Sequence, residues 1–448
     1  MLATKADVNI SGGLVSRLRE ARRHTDSLFR IVRPDSLYER PIPERHRIIF
    51  YIGHLEAFDR NLLSGRLLPA TNFDRELDRL FAFGIDPVGG GLPTDQPSDW
   101  PTLEQVRQYV QRNRDELDLG LASLNNGLRA VSDEFTPELL LNVAIEHRLM
   151  HAETLAYMLH RLPYDKKISP PASPRPVLVP GASTMMQVPA GPAMLGLCRD
   201  SKTFGWDNEF QRQWVDIPSF AIDRYKTRNS EYLAFMNNGG YGNRALWSDA
   251  DWEWKEANGI SHPAFWRQGS DDKDKEWFWM GMFEEIPLPP DWPVYVSHAE
   301  ARAYAQWVGR SLPTEAQWQR AAYGSPDGEC RQYPWGSKSP DGTNGNFDFE
   351  NWDPVSVGAY PRSASAFGVE EMLGNGWEWT ATVFAPFAGF EPFPFYRGYS
   401  ADFFDGKHYV IKGASMRTAE CMLRPSFRNW FQPHYQYVYA GFRCVSNS

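Results

Sequence analysis

The stretch Glu146-His147-Arg148-Leu149-Met150-His151-Ala152-Glu153 carries the spacing in this chain that could do chemistry. Histidines four apart project from the same face of a helix, so both imidazoles can reach one metal ion. The pair lacks the HExxH glutamate of a zinc protease, which argues against that reaction. Two surface or core-satisfied histidines would show the same spacing. His54, within Phe50-Tyr51-Ile52-Gly53-His54-Leu55-Glu56, is the third candidate ligand. It sits among aromatic and aliphatic neighbours, where an imidazole without a partner is costly. Three imidazoles leave coordination positions open, which suit substrate and dioxygen at iron, or water at zinc. Of the other histidines, His24, His46 and His160 lie among charged residues and are read as facing solvent. His262, His298, His408 and His434 show no pairing among themselves.

Long helices must position these ligands. Four segments, 14–32, 44–63, 103–124 and 137–162, place apolar residues at i, i+3, i+4 and i+7. Pro41 and Pro43 before the second, Asp99-Trp100-Pro101 before the third and Thr136-Pro137-Glu138 at the fourth read as helix starts. The pattern predicts a four-helix bundle over 1–162, in which a ligand on one helix and a pair on another can meet in the core. The Gly/Pro-rich loop from Gly84 to Trp100 is long enough to be functional. Residues 163–183 are proline-rich without helical period and read as a linker. From 184 to 448 Trp, Gly, Pro and Asn become frequent. Short strands are expected at 185–195, 214–222, 293–297, 408–415 and 440–446, with helices at 229–239 and 297–310. This half reads as an irregular α+β domain dominated by loops.

Composition narrows the function classes. The chain has 448 residues, 42% hydrophobic and 23% charged, enough for a substantial core. Its net charge of −9, without long basic runs, disfavours nucleic acid and anionic membrane as partners. No apolar run approaches a bilayer span and the start lacks an apolar signal core, so a cytoplasmic location is expected. Cys198, Cys330, Cys421 and Cys444 are scattered and form neither a disulfide framework nor a zinc site.

Several motifs together carry a family resemblance. A bundle histidine followed by a HxxxHxE run and a proline-rich linker precedes Gly309-Arg310-Ser311-Leu312-Pro313-Thr314-Glu315-Ala316-Gln317-Trp318. Further on come Met372-Leu373-Gly374-Asn375-Gly376-Trp377-Glu378-Trp379-Thr380 and Leu423-Arg424-Pro425-Ser426-Phe427-Arg428-Asn429-Trp430. The combination resembles the ergothioneine-biosynthetic sulfoxide synthases over nearly the whole chain. That resemblance implies a DinB-like four-helix bundle followed by a C-terminal domain of the sulfatase-modifying-factor, formylglycine-generating-enzyme type (a C-type-lectin-like fold). It implies Fe(II) on His54, His147 and His151, with hercynine (the trimethylated betaine of histidine) and dioxygen as substrates. A structural calcium ion is considered as a second cofactor, with no ligands assigned. By position, Tyr396 matches the tyrosine that donates a proton or hydrogen in the oxygen chemistry. Tyr399, Asn429 and Trp430 match residues lining the hercynine pocket. An aromatic face suits a quaternary ammonium, which has no N–H to donate.

The departures bear on the donor. Where family members that take γ-glutamylcysteine carry two arginines, residues 83–91 carry none. Phe431 stands where an aspartate would hold the donor's amino group, and Met150 where a glutamine precedes the second histidine of the pair. A zwitterionic donor would leave its charges unpaired there. The resemblance therefore leans to the selenoneine synthase branch, whose selenosugar donor is neutral apart from its selenolate, with cysteine or γ-glutamylcysteine as the alternative. A formylglycine generator would leave the bundle unexplained, and Cys421 and Cys444 sit outside that enzyme's copper motif. A non-catalytic ligand-binding relative is the reading from another class, and metal content separates it. The active site is expected between bundle and C-terminal domain, and the oligomeric state is left open.

Overall fold

The computed structural model describes residues 5–70, 74–82, 92–125, 135–170, 181, 184–269 and 276–447. The side chains of 5–12, 124, 125 and 447 fall outside that description. The chain divides into two compact units, Met1–Ala172 and Ser173–Ser448.

The first unit is helical: α1 (Lys5–Arg30), α2 (Ile48–Leu63), a short α3 (Arg75–Leu80), α4 (Leu103–Asn125) and α5 (Pro137–His160). α1 packs along α5, and α2 packs along both α4 and α5. α5 begins where Thr136 accepts the Leu139 amide at 3.2 Å and Pro137 fills the first turn. α4 starts after Thr102, whose hydroxyl accepts the Gln105 amide while Gln105 accepts the Thr102 amide, a reciprocal cap. The start of α2 differs from the reading based on Pro41 and Pro43. Those prolines lie in a turn, and the helix begins at Ile48 behind Arg47, whose side chain makes no cap. Arg47 instead reaches Asp95 and the Tyr38 carbonyl, so the loop before α4 holds this helix start. α2 and α5 are buried on nearly all sides and form the centre of the bundle. Residues 166–168 return to the end of α1 through Arg33 to Lys166 and Ile168 to Ile31 backbone bonds.

The second unit is built of four small sheets among its described residues. β1 (Met185–Val188), β4 (Phe220–Asp223) and β12 (Val445–Asn447) form one sheet, and β2 (Gly191–Leu195) pairs with β3 (Gln213–Ile217). β5 (Trp266–Gln268), β6 (Trp277–Met280) and β7 (Glu285–Pro287) form a third. The fourth has the order β10 (Asn429–Phe431), β9 (Tyr409–Ala414), β8 (Gly376–Val383), β11 (Ala440–Gly441). Helices α6 (Asn229–Asn237), α7 (Asp249–Ala257), α8 (His298–Trp307) and α9 (Glu315–Tyr323) connect them. Residues 293–297, expected as a strand, pair through the Arg228–Pro293 bridge and single backbone bonds from Val294 to Thr227 and from Val296 to Ala440, and the Val296 carbonyl accepts the Trp379 indole N–H. Their apolar run is buried extended chain without a ladder.

The motifs at 309–318 and 372–380 build scaffold. Thr314 caps α9 reciprocally with Gln317. Trp318 of α9 then donates its indole N–H to Glu378 of β8 at 2.9 Å. Glu378 is fully buried and also receives Arg443 at 2.7 and 2.9 Å, with Lys226 at 3.2 Å. The turn into β8 needs left-handed backbone: Gly376 has φ 115°, and a Cβ there would lie 2.6 Å from the Tyr295 ring.

Candidate metal centre and aromatic cluster

His54 on α2 and His147 and His151 on α5 converge. Their candidate ligand atoms all lie within 4.8 Å of one another, and all three residues are buried. The Nε2 atoms of His147 and His151 are 3.2 Å apart. At a metal–nitrogen distance of about 2.0–2.1 Å, ligand nitrogens are about 2.8–3.0 Å apart at right angles and about 3.3–3.4 Å apart in a tetrahedron. The pair falls within that span.

The tautomer of His54 follows from its partner. Its Nδ1 lies 2.8 Å from the Phe81 carbonyl, which can only accept, so Nδ1 carries the hydrogen and Nε2 keeps a lone pair. Aromatic rings fix the imidazole planes. Phe50 stacks on His54 at 4.8 Å, Phe58 stacks on His147 at 3.3 Å, and the Tyr51 ring lies 5.8 Å from His151. Phe50, His54 and Phe58 recur every four residues along one side of α2, and that spacing was the available sequence signal for these supports.

Burial holds all three rings neutral. Desolvation pushes His54 down to about 4 against the help of the Phe81 carbonyl, and pushes His147 and His151 well below the ordinary histidine range. Neighbouring Arg148 adds to the effect on all three, and Arg45 on His151. The Nδ1 of His151 has no hydrogen-bond partner among the described residues. A neutral, buried, convergent imidazole set is the state a divalent metal requires, so the residues fit the ion.

The other site residues fall in two places. Met150 is half-buried on α5, next to His151. Tyr396 and Tyr399 lie in the segment between β8 and β9, and Asn429, Trp430 and Phe431 form β10. Tyr399 sandwiches against Trp206 at 4.0 Å, meets Trp430 edge-on at 5.5 Å and lies 5.5 Å from Tyr396. Trp430 stacks on Phe384 at 4.1 Å, and Asn429 accepts the Trp430 amide through its own side chain at 2.8 Å. Tyr396, Tyr399, Asn429 and Trp430 are thus brought together. Phe431 instead stacks on Tyr435 at 5.2 Å. Trp206 and Phe384 were missed in the sequence because both come from remote segments without periodicity. Residues 83–91, the glycine-rich part of the donor argument, lie outside the described residues.

Other histidines have structural partners. His160 is buried, contrary to its charged sequence context. His24 and His46 are half-buried, with His46 packed on Phe50 at 4.2 Å. His408 meets Asp405 and His434 meets Asp251, both at 2.9 Å.

Residues 172–448 match the family described as sulfatase-modifying factor enzyme 1-like domain, and residues 17–155 match the DinB superfamily. A hercynine oxygenase of Mycolicibacterium thermoresistibile is 39% identical over 308 residues, covering 67% of each chain. This chain belongs to the hercynine oxygenase family of enzymes. The hercynine oxygenase of Mycobacterium tuberculosis is 40% identical over 252 residues, 56% of this chain and 58% of that one. Ergothioneine biosynthesis protein 1 of Neurospora crassa is 27% identical over 92% of this chain and 55% of its own length. The matches thus span little more than half of the last two relatives. Among the described residues, no helix is long and apolar enough to cross a membrane.

Proposed function

We propose that this chain is an Fe(II)- and dioxygen-dependent oxidoreductase that joins a chalcogen donor to C2 of the hercynine imidazole, with a selenosugar as donor. The observation that carries the metal part is the buried, convergent triad of His54, His147 and His151. When bound, iron supplies the redox chemistry with dioxygen and orders the reactants around one centre. The chain's own residues do the rest. The Phe81 carbonyl and the flanking rings hold the imidazole planes. Trp430 offers one face to the trimethylammonium group, the other being covered by Phe384. Tyr399 and Asn429 border the same ligand. Tyr396, 5.5 Å from Tyr399, delivers the proton or hydrogen.

The donor assignment is supported by what replaces the polar partners: Phe431 in place of an aspartate, Met150 in place of a neutral glutamine, and the arginine-free run 83–91. A donor with an ammonium and a carboxylate would desolvate both without partners. A sulfur donor is the second reading, favoured by the naming of the Neurospora crassa relative as an ergothioneine biosynthesis protein. Anaerobic reconstitution with Fe(II), then aerobic turnover with hercynine and competing donors, tests both by product mass. A selenosugar product dominating at equal donor concentrations is expected. Turnover of cysteine or γ-glutamylcysteine without selenosugar coupling returns the chain to the sulfur donors, and an absence of iron-dependent product refutes the enzyme assignment.

A further inference from the structure

Arg148 lies between the two histidines of α5 and is fully buried. Being one residue past His147, its side chain leaves the helix about 100° away from it, and its guanidinium crosses to α2. One nitrogen donates to the Leu55 carbonyl at 2.9 Å and to the Asp59 carboxylate at 2.7 Å. The other donates to Glu56 at 3.0 Å and reaches the Thr25 hydroxyl of α1 at 3.4 Å. Leu55 directly follows His54. One side chain therefore ties the backbone beside one ligand to the helix carrying the other two.

The tie extends through the bundle. Glu56 also receives Arg114 of α4 at 2.7 and 3.0 Å, and Arg114 holds Asp26 of α1 at 2.8 and 2.9 Å. Arg22 of α1 stands 3.9 Å from Glu56 and 4.0 Å from Asp59. All four long helices thus enter one ionic cluster whose centre, at Arg148, Glu56 and Asp59, is buried. Burying so many charges costs desolvation that their attraction roughly offsets, so net stability is a weak reason for the arrangement. Register is a better one. A slip of one residue along a helix moves a ligand by 1.5 Å, whereas metal–ligand distances hold to about 0.2 Å. Apolar packing between α2 and α5 is less directional than a guanidinium fork engaged with a carbonyl and two carboxylates.

We infer that Arg148 is a positioning residue for the three-histidine centre, fixing the register of α2 against α5 and thereby the affinity for metal. This rests on the reading of His54, His147 and His151 as metal ligands. The test compares full-length apo-protein with Arg148→Lys, Arg148→Met and a control, Leu18→Ala, which removes a buried apolar side chain from α1 and none of the charged groups of the cluster. Zn(II) and Co(II) affinities are measured by chelator competition, the Co(II) absorption bands report ligand geometry, and thermal melts report stability. Both Arg148 variants are expected to bind Zn(II) at least ten-fold more weakly than the Leu18→Ala protein, with shifted Co(II) bands, even where their melting temperatures match it. Arg148→Lys keeps the charge and loses the fork, so it carries the test if Arg148→Met does not fold. Affinities and Co(II) spectra equal to the control overturn the inference and leave the metal centre standing. A wild-type protein that binds neither metal overturns the metal centre itself, and the inference with it.

Discussion

Gly53→Ala is a small change that should separate helix propensity from metal-site support. In an exposed helix interior this substitution gains about 1 kcal/mol, since alanine loses less backbone entropy than glycine. Here the new Cβ would lie 2.5 Å from three atoms of the Phe81 ring. That ring is fully buried, with Tyr109 at 5.4 Å and Phe50 and Trp100 each at 6.4 Å, so it must shift against neighbouring rings. Overpacking of this kind costs about 1–3 kcal/mol, which leaves a net loss of about 0–2 kcal/mol. The larger effect falls on the metal. Moving Phe81 moves the carbonyl that fixes the His54 tautomer at 2.8 Å, and loss of such an outer partner typically weakens metal binding by about 10- to 100-fold. Urea unfolding of the apo-protein gives the first quantity and Zn(II) competition the second. A variant about 1 kcal/mol more stable than wild type, with unchanged metal affinity, would refute the reasoning.

Replacing His54, His147 or His151 with Ala should remove most bound iron and all turnover. Full iron occupancy by elemental analysis in the His54→Ala protein would mean that the triad is misassigned. Trp430→Ala should weaken hercynine by about 1–2 kcal/mol in calorimetric titration and plain histidine by less, because an ordinary ammonium can keep water and other acceptors; equal losses would reduce Trp430 to packing. His298 is buried, stacked on Tyr409 at 3.9 Å, and pushed by desolvation down to about 3. Below pH 6.5 the unfolded chain takes up a proton that the folded chain refuses, so stability from this residue falls as pH drops from about 6.5 toward 3. His298→Phe should therefore flatten the pH dependence of unfolding by an amount that grows from about 0.7 kcal/mol per unit at pH 6.5 to about 1.4 kcal/mol per unit near pH 5, and an unchanged slope would show that the ring is protonated in the folded protein.

Much of the bundle was legible because its signals are local. Apolar residues at helical spacing mark α1, α2, α4 and α5, and Thr136-Pro137 marks a helix start without reference to the rest of the chain. The HxxxH pair and the lone His54 in an apolar helix were equally visible, since spacing along one helix fixes which face two side chains share. The start of α2 was not, because Arg47 is held by Asp95 from a distant loop rather than by a cap of its own. The burial of His160 and the unladdered run 293–297 escaped for the same reason: each depends on what packs against it.

The sequence by itself determined the long helices, the three histidines as candidates and the motifs that carry the family. Only the tertiary structure decided that His54 meets His147 and His151, since nothing in either helix specifies its register against the other. That register depends on contacts at long separation, among them Arg148 with Leu55 and Asp59 and the Phe81 carbonyl with His54. The aromatic cluster is a stronger case. Trp206, Phe384, Tyr399 and Trp430 come from four separated segments, and folding alone sets their stacking, because the burial of aromatic area is non-directional until neighbouring backbone fixes where each ring can lie.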